Sequence, residues 1–309
     1  MSPADERVPL EDRVVIVTGA GSGLGRAYAT ALAQAGARLV VVGRRPEPLL
    51  ALAAELAGAA EPVIGDVAEP AVADRIVETA ASSFGRLDAL VNNAGGLRDR
   101  TLLKMSDGEF DEVMRAHVYG TFYVSRACAR AMRAAGGGTI VNIGSDSGLL
   151  GAFGQSNYAA AKGAILGLTL TWARELGRHG ISCNCVLPNA LTAMTENLPE
   201  LLAEYRYGPP EAFPRSMGEP SEVAPLIVLL ITERWRSLTG RLLSLGGDRL
   251  SLWQPPSEQR VAFLHGGWSL GELDRSLADA LGLERPTPPD TDSNWIQRRP
   301  RWPYTQLTN

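Results

Sequence analysis

Val14-Val15-Ile16-Val17-Thr18-Gly19-Ala20-Gly21-Ser22-Gly23-Leu24-Gly25 decides how the rest of the chain is read. The β-branched run from Arg13 to Val17 has strand composition, and Leu24 to Ala35 has helical composition, so the order is strand, turn, helix. Glycines in such a turn allow a tight bend, let the backbone approach a pyrophosphate and seat the next helix, whose first N–H groups face the anion. The position of the turn between a first strand and a helix raises it above a mere glycine-rich loop. Gly19, Gly21, Ser22, Gly23, Leu24 and Gly25 are therefore candidate dinucleotide contacts.

Moving outward, apolar strand candidates recur at Leu39–Val42, Val63–Ile64, Leu87–Val91, Thr139–Ile143, Ile181–Val186 and Leu242–Leu245, with helical stretches between them. Alternating strands and helices imply βαβ crossovers, hence an α/β fold with a mainly parallel sheet covered by helices on both faces. Such sheets bind ligands beyond the carboxyl ends of their strands. The second strand ends in Gly43-Arg44-Arg45, without the acidic residue that would hold a ribose 2′-hydroxyl. Arg44 can instead clamp a 2′-phosphate, which favours NADP and leaves NAD possible; the bland alternative is a pair of solvated loop arginines. Asp66 and Val67, after the third strand, are placed to meet the adenine. Asn93, Ala94 and Gly95, within Asn92-Asn93-Ala94-Gly95 after the fourth, are placed to pass close to the adenosine ribose.

Tyr158-Ala-Ala-Ala-Lys162 puts two side chains four residues apart on one helix face. An unperturbed phenol, with a pKa of about 10, is a poor acid/base group at neutral pH, and a nearby ammonium is expected to lower it. A tyrosine followed by a basic residue is common in helices. Here, however, arginine fills nearly every basic position, and Lys104 and Lys162 are the only lysines. Lysine at 162 is then a chemical choice, because the two cations are not interchangeable.

Taken together, T-G-A-G-S-G-L-G, N-N-A-G, Ser145 thirteen residues before the tyrosine, and Y-A-A-A-K closely resemble the classical short-chain dehydrogenase/reductase family over residues 10–248. The resemblance implies a Rossmann-type doubly wound sheet of about seven strands and commonly a homotetramer, with a dimer as the other homo-oligomer. It implies Tyr158 as proton donor or acceptor, Lys162 on the nicotinamide ribose, Ser145 orienting the carbonyl, and backbone near Leu191 against the nicotinamide amide. The family's usual helix asparagine is replaced in Arg115-Ala116-His117-Val118, which makes His117 a candidate relay, acid/base or packing residue, and Pro188 is followed by Asn189 rather than glycine. Both departures, with F-G-Q-S-N-Y-A-A-A-K, look like the (3R)-hydroxyacyl-CoA dehydrogenase domains of multifunctional β-oxidation enzymes. The implied activity is interconversion of a carbonyl and a secondary alcohol with NAD(P)(H), the favoured substrate being a 3-oxoacyl or 3-hydroxyacyl thioester. A steroid, polyketide or other cyclic ketone is the alternative substrate, and a silent NADP-binding sensor or scaffold is the alternative outside catalysis.

Composition is consistent with this. The 309 residues are 45% hydrophobic and 21% charged, enough for a sizeable core. A net charge of −4 gives no broad attraction to nucleic acid or anionic membrane. The N-terminal stretch lacks a signal-like apolar run, so a cytoplasmic location is expected. Cys128, Cys183 and Cys185 read as buried hydrophobes, with neither a disulfide framework nor a metal site. The strand-helix alternation stops near Asp248, dividing the chain into residues 1–248 and an extension, 249–309, with a helix candidate at Leu270–Leu281. Trp253, Trp268, Trp295 and Trp302 in that extension are expected to pack on the core or a partner subunit.

Overall fold

The structure, a computed structural model, describes residues 10–190 and 217–282. Leu191, Trp295, Trp302 and nearly all of the loop Thr192–Met217 lie outside the described residues.

The first strand is β1 (Val14–Thr18), followed by α1 (Gly23–Gln34), β2 (Arg38–Gly43), α2 (Pro46–Glu55), β3 (Ala60–Ile64), α3 (Pro70–Phe84) and β4 (Ala89–Asn92). A second half repeats the pattern with α4 (Asp107–Met114), α5 (Gly120–Ala134), β5 (Gly138–Ile143), α6 (Ser147–Leu150), α7 (Ser156–Leu176) and β6 (Ile181–Pro188). Then come α8 (Pro220–Ile231), β7 (Leu242–Gly246) and β8 (Arg249–Trp253). The sheet order is β3-β2-β1-β4-β5-β6-β7-β8, parallel through β7. This is the doubly wound arrangement the sequence implies.

Every residue of β1 is buried because helices cover both faces. Val15 and Val17 point to the side of α1 and α8, packing with Tyr28, Leu32 and Ile227. Val14 and Ile16 point to the side of α3 and α5, with Ile76, Val124 and Met132. Each such aliphatic side chain contributes about 1.5–3 kcal/mol on burial, which is why an unbroken β-branched run, rather than an alternating one, marks these strands. The chain order reverses between β1 and β4, opening a crevice at their carboxyl ends.

The sheet has one strand more than the expected seven. Strand β8 returns antiparallel to β7 after a turn in which Gly247 takes a φ of 54°. Its pattern alternates, with Leu250 and Leu252 exposed and Ser251 and Trp253 turned inward. That two-residue period belongs to an edge hairpin and carries no helix, so a search for βαβ alternation passes over it. The compact unit that holds the sheet runs to Gln254, and a second unit begins at Pro255. In the second, α9 (Leu270–Leu281) forms where the sequence implies a helix. Ser269 and Glu272 cap its start reciprocally, and Gly282 ends it in the left-handed region. The three cysteines are free and buried. No helix among the described residues is long and apolar enough to cross a membrane.

Candidate active site

The glycine loop after β1 lines a cavity of about 180 Å³ at the switch point, together with residues that follow β2, β3 and β4. Gly19 has a φ of 66°, and a β-carbon there would stand 2.8 Å from the Ala94 Cα; one on Gly25 would collide with the Gly19 carbonyl. The loop therefore tolerates no side chain at either position. Gly21, Ser22, Arg44, Asp66, Val67, Ala94 and Gly95 line the same cavity, as the sequence leads one to expect. Gly23 and Leu24 begin α1 beneath it.

Asn93 behaves differently. Its Nδ2 donates to the carbonyls of Thr18 (3.0 Å) and Gly19 (3.3 Å), so the side chain props the glycine loop from below. Thr18 Oγ1 joins in by accepting from the N–H groups of Asn93 and Ala94. Arg45, which sequence reasoning set behind Arg44, also lines the cavity, and its Nη2 donates to Ser22 Oγ at 3.4 Å. A cradle of small residues with two guanidinium groups and no carboxylate at the end of β2 fits a dinucleotide.

Helix α7 brings the reacting groups together. Lys162 is 4% exposed, and its Nζ donates to the Ile143 carbonyl at 2.7 Å, at the end of β5. The same Nζ lies 5.5 Å from the centre of the Tyr158 ring. Burial pulls the Lys162 ammonium down to about 8. The Tyr158 phenol is pushed up to about 12, first by burial; the neighbouring Ser145 hydroxyl opposes this, and the charges of Asp146 and Asp99 add to it. This reverses the direction expected from the Tyr-Lys spacing, because removal from water, with two carboxylates adding to it, sets the shift. A phenol held protonated is a proton donor.

The first turn of α7 is clamped by two amides of the F-G-Q-S-N-Y stretch, to which the sequence assigns no role. Asn157, fully buried, accepts from the Tyr158 N–H (2.7 Å) and donates to the carbonyls of Arg98 (2.9 Å) and Glu109 (3.1 Å). Gln155 donates to Asp99 (3.0 Å) and accepts from Ser147 (3.3 Å). Deeper, Asn92 donates to Ser125 and to Asn142, each at 2.8 Å, and Asn142 donates to Thr169 at 2.9 Å, tying the ends of β4 and β5 to α5 and α7.

His117 sits in a π-helical turn, Arg115–Tyr119, inserted between α4 and α5. Its ring meets Tyr158 edge-on with centroids 5.4 Å apart, and its Nε2 contacts the Gly96 backbone, 3.1 Å from N and 2.9 Å from O. A β-carbon on Gly95 would overlap this ring, so glycine at 95 and histidine at 117 are a matched pair. Burial, and then the charge of Lys162, lower the imidazole to about 3. A neutral ring packed this way suits orientation of Tyr158 rather than proton exchange.

The same shift has a stability consequence. The folded state holds His117 neutral, whereas an unfolded histidine protonates below about 6.5, so the unfolded chain binds more protons and folding weakens as pH falls from there toward 3. Between neutral pH and pH 5 the wild type is expected to lose roughly 2 kcal/mol on this account, at about 1.4 kcal/mol per pH unit per proton. His117→Asn should shrink that loss in urea unfolding at pH 7 and pH 5. An undiminished loss would show that His117 is not the group responsible.

Comparison with known proteins agrees with this geometry. A sequence model described as short chain dehydrogenase matches residues 13–203. Hydroxyacyl-CoA dehydrogenase ChsB1 of Mycobacterium tuberculosis is 37% identical, the match covering 87% of this chain and 89% of that protein. The (3R)-3-hydroxyacyl-CoA dehydrogenase of Rattus norvegicus is also 37% identical, over 77% of this chain and 96% of its own. The crystal structure of a short chain dehydrogenase from Mycobacterium avium superposes with a TM-score of 0.78 at 35% identity, covering 90% of this chain and 97% of that one. Sequence and fold agree over most of the chain, which belongs to the short-chain dehydrogenase/reductase family and is an NAD(P)-dependent oxidoreductase acting on CH–OH groups.

Proposed function

We propose that this enzyme interconverts 3-oxoacyl and 3-hydroxyacyl thioesters and prefers NADP(H). The convergence of Ser145, Tyr158 and Lys162 at the ends of β5 and α7 carries the catalytic part of this reading. The substrate class is supported by relatives named hydroxyacyl-CoA dehydrogenase, and the cofactor preference by Arg44 and Arg45 at the end of β2.

The nicotinamide supplies or accepts a hydride when bound; the chain's residues supply the rest. Gly19, Gly21, Ser22 and the start of α1 would hold the pyrophosphate. Arg44 and Arg45, which line the cavity at the end of β2, would hold a 2′-phosphate. Lys162 would hold the nicotinamide ribose; the contact that the resemblance gives to Leu191 lies outside the described residues. In the reductive direction Tyr158, protonated at neutral pH, gives its phenolic proton to the substrate carbonyl oxygen, while Ser145 donates a hydrogen bond to that oxygen. In the oxidative direction Tyr158 must first lose its proton, so that direction is favoured by alkaline conditions.

The test is steady-state reduction of 3-oxobutanoyl-CoA with NADPH and with NADH, compared with cyclic ketones. The wild type is expected to give a kcat/KM at least about tenfold higher with NADPH, consistent with a charge-assisted hydrogen bond of about 1.5–3 kcal/mol. Arg44→Ala and Arg45→Ala, made separately, should each erode that preference. A wild type that prefers NADH overturns the cofactor assignment, and faster turnover of cyclic ketones overturns the thioester assignment.

A further inference from the structure

The Ser145 hydroxyl has one proton, which the Asp146 carboxylate and the Tyr158 phenol are both placed to accept. Ser145 Oγ donates to Asp146 Oδ1 at 3.2 Å and accepts from the Ser147 N–H at 3.2 Å. Among the described residues no basic side chain pairs with Asp146, so its carboxylate is free to act as a charged acceptor for that proton. We propose that Asp146 is a positioning residue that withholds the Ser145 proton from the substrate's ground-state carbonyl and yields it only as negative charge develops on the carbonyl oxygen. This rests on the reading of Ser145 as the donor to the substrate.

The reasoning is one of competing acceptors. A ketone oxygen accepts a hydrogen bond less strongly than a carboxylate does, whereas an oxygen approaching an alkoxide accepts more strongly. With Asp146 beside it, Ser145 keeps its bond to the carboxylate when the ketone binds and turns to the substrate near the transition state. Because the bond to Asp146 must be given up before the substrate oxygen takes the proton, the carboxylate keeps the serine from tightening ground-state binding of the ketone. The turn that follows helps to hold the geometry: Ser147 fixes Ser145 Oγ from the backbone while its own hydroxyl donates to Gln155.

Asp146 also acts on the phenol, whose surroundings are charged from several elements. Asp146 and Ser145 face it from the segment after β5, Asp99 from the segment after β4, Lys162 from its own helix, and the neutral His117 ring from the π turn. Removing the Asp146 charge should therefore move the alkaline limb of the oxidation profile to lower pH.

The test uses Asp146→Asn, which keeps a neutral acceptor, and Asp146→Ala, which removes it, each in the wild-type and the Ser145→Ala background. With 3-oxobutanoyl-CoA, Asp146→Ala is expected to lower KM about 3–10-fold without lowering kcat, Asp146→Asn to do so less, and both to leave KM unchanged once Ser145 is alanine. Unaltered KM and pH profile in Asp146→Ala, or an equal drop in KM without the serine, overturns the proposal. Those results leave the general reading of the site standing. That reading fails separately if Ser145→Ala alone keeps wild-type kcat and KM.

Discussion

Tyr158→Phe is expected to lower kcat for carbonyl reduction by about a thousandfold, within the range of about 10²–10⁴ for loss of a positioned general acid. The ring would remain, and with it the edge-on contact to His117 and the packing over Lys162. Only the hydroxyl that carries the transferable proton is deleted. Fluorescence titration should therefore give a Kd for NADPH within about twofold of wild type, since the loss is confined to the transition state. A phenylalanine variant with wild-type turnover would remove Tyr158 from the reaction.

Lys162→Arg is expected to cost about a hundredfold or more in kcat and to destabilise the fold by about 1–3 kcal/mol. Nζ occupies a buried site with the Ile143 carbonyl at 2.7 Å, and Gly148 is packed so tightly that a β-carbon there would come within 3.0 Å of Lys162 Cβ. A guanidinium brings five N–H donors to a place built for a single compact head, leaving donors unsatisfied. Proton release differs too. The folded-state value of Lys162 lies near 8, below the 10.5 of the unfolded chain, so the unfolded state binds more protons in that window and wild-type stability rises with pH across it. Arginine keeps its proton throughout, so the variant should lose that rise in urea unfolding between pH 8 and 10. Wild-type kinetics in Lys162→Arg would mean that lysine at this position is an accident of composition.

The contrast between these residues and others shows what the sequence could reveal. Strands such as Val14–Thr18 were legible because burial on both faces leaves a run of β-branched residues and little else. The glycine loop was legible because a side chain at Gly19 or Gly25 would collide with backbone or crowd it. Strand β8 was not, since a five-residue alternating segment has no helix to announce it. Local spacing aligned Tyr158 with Lys162 but misjudged the phenol's shift. Burial decides that shift, and the charges of Asp146 and of Asp99, distant in the chain, add to it. Asn93 is expected from the sequence beside the adenosine ribose, yet it is absent from the cavity lining, and only the fold shows its amide turned under the loop toward Thr18 and Gly19. The Gly95 and His117 pairing is equally a product of three-dimensional packing, because nothing along the chain relates a glycine after β4 to a histidine in a π turn.

The most direct test of the proposed reaction follows the hydride itself. The wild-type enzyme is given 3-oxobutanoyl-CoA and NADPH carrying deuterium at the transferable nicotinamide C4 position, and the product is examined by mass spectrometry and NMR. The expected product is 3-hydroxybutanoyl-CoA with deuterium on C3, formed in step with cofactor oxidation. Cofactor oxidation without deuterium at C3, or a protein that binds NADPH yet leaves the 3-oxo group intact, would contradict it.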